Sequence, residues 1–150
     1  MIIQRPLSRA QATQKLGETL YQVVSPPVVV YLQGELGSGK TTLVQGFLRE
    51  AKVKGSVKSP TYTLVESYEL LDYTVHHFDL YRVQSPSELL SLGIEEYFDT
   101  NTVCFIEWPE RGQGVLPPPD LTVQWLPTEK GRLVQITAHT PVGECMGAGL

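Results

Sequence analysis

The sequence predicts an α/β sandwich: a mixed parallel and antiparallel sheet flanked by helices. Three observations carry this expectation. The run Val28-Val29-Val30-Tyr31-Leu32 is continuously β-branched and apolar, as in a strand covered on both faces of a parallel sheet. A glycine-rich loop follows it at once and opens into an apolar-periodic helix. Paired strand-like runs later in the chain imply hairpins, and so antiparallel neighbours in the same sheet.

Taken in order, Ser8 with Gln11 resembles a capping box. Ala12, Leu16, Leu20 and Val23 then recur at helical spacing, predicting a helix from about Ser8 to Val24 that Gly17 weakens slightly and Ser25-Pro26-Pro27 ends. After the Val28–Leu32 strand and the glycine loop, Thr42, Leu43, Val44, Phe47 and Leu48 predict a helix ending near Lys54-Gly55. Thr61 to Tyr68 and Thr74 to Tyr81 read as an antiparallel hairpin around Leu70-Leu71-Asp72. Ser85 as N-cap and Pro86 in the first turn start a short helix, and Ile94 to Phe98 forms a second helical piece. Val103 to Ile106 is another buried strand, ending at Glu107-Trp108. Pro109 to Asp120 is loop, and a closing hairpin runs through Leu121–Leu126 and Arg132–Ala138 around Glu129-Lys130-Gly131. Residues 1–139 are expected to form a single domain, and 140–150 a flexible C-terminal tail.

The bulk properties narrow the function classes. The chain has 150 residues, enough for one domain with its own core. Its net charge of −4 gives no basic field, so strong nonspecific binding of DNA or RNA by this chain alone is not expected, and contact with RNA would need a partner. Its longest apolar stretch is too short to span a bilayer, and the N-terminus has no secretory pattern. Cys104 and Cys145 match no metal spacing, which fits a reducing, cytoplasmic compartment.

The chemistry concentrates in Gly34-Glu35-Leu36-Gly37-Ser38-Gly39-Lys40-Thr41, a full match to G-x-x-x-x-G-K-[ST]. Glycines let successive backbone N–H groups point at one anion, and the helix that starts near Lys40 adds its positive dipole end. Lys40 can reach the β- and γ-phosphates, and the Thr41 hydroxyl is placed for Mg²⁺. Glu35, Leu36, Gly37, Ser38, Gly39, Lys40, Thr41 and Thr42 are therefore the candidate nucleotide-binding residues of a P-loop NTPase-like domain. Such a loop needs acidic partners. Asp79, toward a strand end, and Glu107, closing an apolar run, are the candidates for metal binding and catalysis. The hydroxyls of Ser59-Pro60-Thr61-Tyr62-Thr63 could approach the γ-phosphate as a switch segment. His76 and His77 could contact a ligand, but sheet packing with polar satisfaction is the expected role of each. Arg82 could act on phosphate charge or pair with a carboxylate, Trp108 could cover the nucleotide or fill the sheet edge, and Lys52, Lys54 and Lys58 read as a solvated face that could also meet an acidic partner or RNA.

With these segments in order, the chain resembles the TsaE (YjeE) family of bacterial ATPases. The resemblance rests on Gly34–Thr42, Ser59-Pro60-Thr61-Tyr62, His77-Phe78-Asp79-Leu80-Tyr81-Arg82, Leu92-Gly93-Ile94-Glu95-Glu96-Tyr97 and Ile106-Glu107-Trp108-Pro109-Glu110-Arg111, from about residue 8 to residue 138. It implies ATP and Mg²⁺ as ligands. It also implies service to a TsaD–TsaB transferase complex that threonylcarbamoylates adenosine 37 of ANN-decoding tRNAs, with tRNA met only through that complex. Lys40 would hold phosphate, Thr41 Mg²⁺, and Thr61 would be the switch threonine. Asp79 and Glu107 would organise metal and water, in an order the sequence leaves open. Tyr62 and Glu35 depart from a common phenylalanine and aspartate. A small-molecule kinase lacks its arginine-rich lid here, and a GTPase lacks Asn-Lys-x-Asp. A nucleotide-gated binding module stays open.

Overall fold

The computed structural model describes residues 1–7, 9–129 and 131–150. Seven strands form one sheet: β1 (Ile2–Pro6), β2 (Val28–Gln33), β3 (Val65–Glu69), β4 (Thr74–Asp79), β5 (Thr102–Glu107), β6 (Leu121–Thr128) and β7 (Gly131–Ala138). Their order is β1-β7-β6-β2-β5-β4-β3. The central strand β2 is parallel to β5 and β6, and β5 is parallel to β4. The outer pairings β1–β7, β6–β7 and β3–β4 are antiparallel, so the sheet is mixed.

The helices are α1 (Ala10–Val23), α2 (Lys40–Glu50), α3 (Pro86–Ser91) and α4 (Pro141–Ala148), with 3₁₀ turns at Ile94–Tyr97 and Pro109–Gly112. Strand alternation sorts the core into two layers. Val28, Val30, Leu32, Val103 and Phe105 pack on one face against Leu16, Leu20, Leu43, Val44 and Phe47 of α1 and α2. Phe78, Cys104 and Ile106 pack on the other against Leu89, Ile94 and Leu80. By the same alternation His77, Asp79 and Glu107 belong to the face that carries α2.

Gly17 has a role the sequence did not disclose. A Cβ there would lie 2.0 Å from the Leu43 carbonyl oxygen, and one on Gly46 would lie 2.2 Å from that of Gln14. The two glycines let the backbones of α1 and α2 touch.

Four expectations change. Helix α2 stops at Glu50, short of Lys54, because Lys52 takes a left-handed φ of 60° and the Val53 N–H turns back to the Leu48 carbonyl. The strand expected from Thr61 starts at Val65. Pro60–Leu64 instead forms a turn, closed by Leu64 N–H on the Pro60 carbonyl at 2.9 Å. Strand β1 was not foreseen, because it is a mostly exposed edge strand with polar Gln4 and Arg5. The expected tail contains α4: Thr140 caps Gly143 N–H at 3.1 Å and donates to Asp120 at 2.7 Å, while Met146 is buried in the main core. Helix α1 has Arg9 as its N-cap; the proposed Ser8 cap, like Lys130 in the last hairpin, falls outside the described residues.

Candidate nucleotide-binding site

Three parallel strands, β2, β4 and β5, end at the same edge of the sheet, where ligands of open α/β sheets bind. Strand β2 feeds directly into the glycine loop. Gly37 and Gly39 hold φ of +74° and +117°, values that residues with side chains rarely adopt. Gly39 is the N-cap of α2 and makes no side-chain cap, so the N–H groups of the first turn keep no side-chain acceptor. The Ser38 hydroxyl is buried beside them with no partner among the described residues. Orphan donors at a positive helix end are a donor set for an anion.

Lys40 is 4% exposed. Its ammonium donates to the carbonyls of Gly34 and Glu35, the latter at 3.0 Å, and sits 4.5 Å from the Trp108 ring centroid. Burial pulls its pKa below the ordinary lysine value. The carboxylates of Glu107, Asp79 and Glu110 oppose that pull, and Arg132 adds to it.

Asp79 and Glu107 are the last residues of β4 and β5 and are partners in register. Both are buried. The Thr41 hydroxyl donates to Glu107 Oε2 at 3.1 Å. The Thr61 hydroxyl, carried by the Pro60–Leu64 turn, donates to Asp79 Oδ2 at 3.2 Å, and the Tyr81 N–H to Oδ1 at 3.0 Å. A cavity of about 260 Å³ is lined by Leu36 through Thr42 together with Thr61, Asp79, Glu107 and Trp108. Residues from four separate sequence segments thus converge on one cleft. Glu35 is not part of this lining; its carbonyl accepts from Lys40, and the residue lines a neighbouring hollow with Ser38, Trp125 and Arg132. Two carboxylates and a hydroxyl form a hard oxygen set, which suits Mg²⁺ completed by phosphate and water.

Three residues make contacts that residue-by-residue reading left unspecified. His77 meets the expected polar satisfaction, and its partner is a site residue: its Nε2 lies 2.5 Å from Glu107 Oε2. The signal was available, since positions i and i+2 of a strand share a face and so place His77 beside Asp79. Arg132, at the start of β7, donates to the Gly37 carbonyl at 2.7 Å, a contact across 95 residues that no local pattern announces. Trp108 takes a left-handed φ of 57° immediately after Glu107, and this turn lays its ring against Lys40 and 5.0 Å from Tyr81. Arg82 stacks on Tyr62 of the Pro60–Leu64 turn at 4.4 Å, outside the cleft lining. His76 bonds Ser67 and packs edge-on against Tyr97. Lys52, Lys54 and Lys58 follow the C-terminal end of α2 and are not among the residues that line the cleft.

Residues 7–134 match the family model described as threonylcarbamoyl adenosine biosynthesis protein TsaE. The chain belongs to the TsaE family. It is 44% identical over 132 residues to the tRNA threonylcarbamoyladenosine biosynthesis protein TsaE of Haemophilus influenzae, covering 87% of this chain and 84% of that one. It is 38% identical over 109 residues to the protein of the same name from Nostoc, covering 70% and 67%. The crystal structure of Bacillus subtilis YdiB superposes with a TM-score of 0.81 over 99% of this chain and 93% of that one, at 23% identity, which establishes a common fold. The TsaE model spans every cleft residue from Leu36 to Trp108. Among the described residues, no helix is long and apolar enough to cross a membrane.

Proposed function

We propose that this TsaE protein binds and hydrolyses ATP with Mg²⁺, and that the hydrolysis serves threonylcarbamoylation of adenosine 37 in ANN-decoding tRNAs through a TsaB–TsaD transferase complex, in the cytoplasm. The observation that carries the proposal is the convergence of a complete phosphate loop with two hydroxyl–carboxylate pairs, Thr41–Glu107 and Thr61–Asp79, at the ends of parallel strands.

The first-turn N–H groups of α2 and the Lys40 ammonium would bind the β- and γ-phosphates. Thr41, Glu107 and Asp79 would hold Mg²⁺, which when bound supplies charge that offsets the phosphoryl oxygens. Thr61 donates its hydroxyl hydrogen to Asp79, which ties the Pro60–Leu64 turn to the site and lets that turn respond to what occupies the cleft. Trp108 shields one side of Lys40 from water and strengthens its field toward phosphate. Neither Arg82 nor Arg132 lines the cleft, so stabilisation of the transferred phosphoryl group rests on Lys40, the loop and the metal. Slow hydrolysis by the isolated chain follows.

The test is phosphate release from ATP with Mg²⁺, measured for the chain alone and with TsaB–TsaD. Stimulation by the pair, lost in Lys40→Ala, is the expected outcome. Replacing the charged donor should weaken nucleotide binding by about 10–100-fold, the equivalent of a charge-assisted hydrogen bond. Full-rate turnover without the pair would refute the partner-coupled reading, and no hydrolysis in either condition would refute the ATPase.

A further inference from the structure

His77 is 0% exposed, one pleat behind Asp79 on β4, with Glu66 and Phe105 as its register neighbours. A polar ring placed so deeply costs desolvation unless its hydrogen bonds are made. Among the described residues one is made: Nε2 meets Glu107 Oε2 at 2.5 Å, while Nδ1 is buried with no partner among them. An ionised carboxylate only accepts, so Nε2 carries the hydrogen. The bond to Glu107 is therefore the contact that fixes the direction of the ring.

The same Oε2 also receives the Thr41 hydroxyl hydrogen at 3.1 Å. Two donors therefore converge on one oxygen. Among the described residues, no hydrogen bond is formed to Oε1, and Glu107 lines the cleft. The terminal torsion of a glutamate is broad and nearly two-fold, so either oxygen could otherwise face inward. The Thr41 hydroxyl rotates and cannot select one by itself. The imidazole can, because its backbone is held between two paired strands and its N–H direction is fixed by the ring.

Resting on the ATP and Mg²⁺ reading above, we infer that His77 is a positioning residue: it locks the Glu107 carboxylate so that Oε2 serves the loop threonine and Oε1 is presented to the metal and its water. Because the Thr41 hydrogen is committed to Oε2, the lone pairs of its oxygen remain for the cation. Groups that orient a metal-binding side chain in this way typically account for about 10–100-fold in metal affinity or activity.

The experiment compares His77→Gln, His77→Asn and His77→Leu in the full chain. A glutamine amide nitrogen falls near the position of Nε2 and keeps the donor. Asparagine is polar but falls short of Glu107, and leucine is apolar. The readouts are the Mg²⁺ concentration that half-saturates tight binding of a fluorescent ADP analogue, the affinity for that analogue in EDTA, and kcat and KM for ATP. The expected result is a 10–100-fold rise in the Mg²⁺ requirement and a similar fall in kcat for His77→Leu and His77→Asn. KM and EDTA affinity should stay within about twofold of wild type, and His77→Gln should recover most of the loss. If His77→Leu does not fold, the glutamine and asparagine pair decides alone. Equal behaviour of glutamine and asparagine, whether both active or both impaired, overturns the assignment and leaves His77 as packing. Absence of any Mg²⁺ effect on nucleotide binding in the wild-type chain would overturn the ATP and Mg²⁺ reading itself, and the assignment with it.

Discussion

Gly17→Ala isolates the contact that seats the phosphate-loop helix. In an isolated helix the change would stabilise, by about 1 kcal/mol, because alanine is the better helix former. Here the new Cβ would sit 2.0 Å from the Leu43 carbonyl oxygen and 2.8 Å from the Phe47 nitrogen. Ordinary contact begins near 3.4 Å, so α1 and α2 must part by roughly 1.4 Å, the difference between 3.4 and 2.0. The obstacle is backbone, which cannot swing aside as a side chain would. Parting the helices loosens Leu16, Leu20, Leu43 and Phe47, all buried in the main core. Overpacking costs about 1–3 kcal/mol, occasionally more; with backbone as the obstacle the cost here is about 3–5 kcal/mol, and a net loss of about 2–4 kcal/mol remains after the helix-propensity gain of about 1 kcal/mol. For a chain of this length that is a fall in Tm of about 5–15 °C. Thermal unfolding followed by far-ultraviolet circular dichroism measures it, and chemical denaturation gives the same difference independently. A Tm equal to or above wild type would refute the argument, since it would mean that the helices do not meet backbone to backbone.

Removing residues 140–150 should lower Tm by several degrees, because α4 contributes buried Met146 and the Thr140–Asp120 bond; an unchanged melting curve would show that the segment does not pack. Thr61→Ala should reduce ATP hydrolysis at least about tenfold while ADP affinity stays within twofold, with Thr61→Ser restoring turnover, since the hydroxyl bond to Asp79 is what the alanine removes. Burial pushes the Cys104 thiol up to about 12 from its ordinary 9.0. Between those two values the unfolded thiol ionises and the folded one does not. The unfolded state then binds fewer protons, so stability falls as pH rises through that window. The Tyr73 hydroxyl, also pushed up to about 12 by burial, acts in the same direction. Urea midpoints measured from pH 8 to 11 should decline, and less steeply in Cys104→Ala; an identical decline in the variant would remove Cys104 from the account.

The sequence alone determined the phosphate loop, the buried β2 strand before it, the helix after it and the mixed sheet. Each is a local pattern: glycine spacing, a β-branched run and a change of apolar period act within a few residues. The candidate residues Lys40, Thr41, Thr61, Asp79 and Glu107 were legible for the same reason, as motif positions or strand ends. Tertiary structure decided how they meet. Asp79 and Glu107 share a register only because β4 pairs with β5, and Thr61 reaches Asp79 only because the expected strand start is a turn. The reading of Gly17 as a weakness reversed once α2 lay against it, because a close backbone approach outweighs helix propensity. The tail became α4 for a parallel reason: its one strongly buried side chain, Met146, finds a core that other strands and helices build, β7 and α1 among them. His77 shows the limit most sharply. Strand alternation can place it beside Asp79, but its Nε2–H acquires a partner only when another strand delivers Glu107, and that pairing is a property of the sheet and not of either segment.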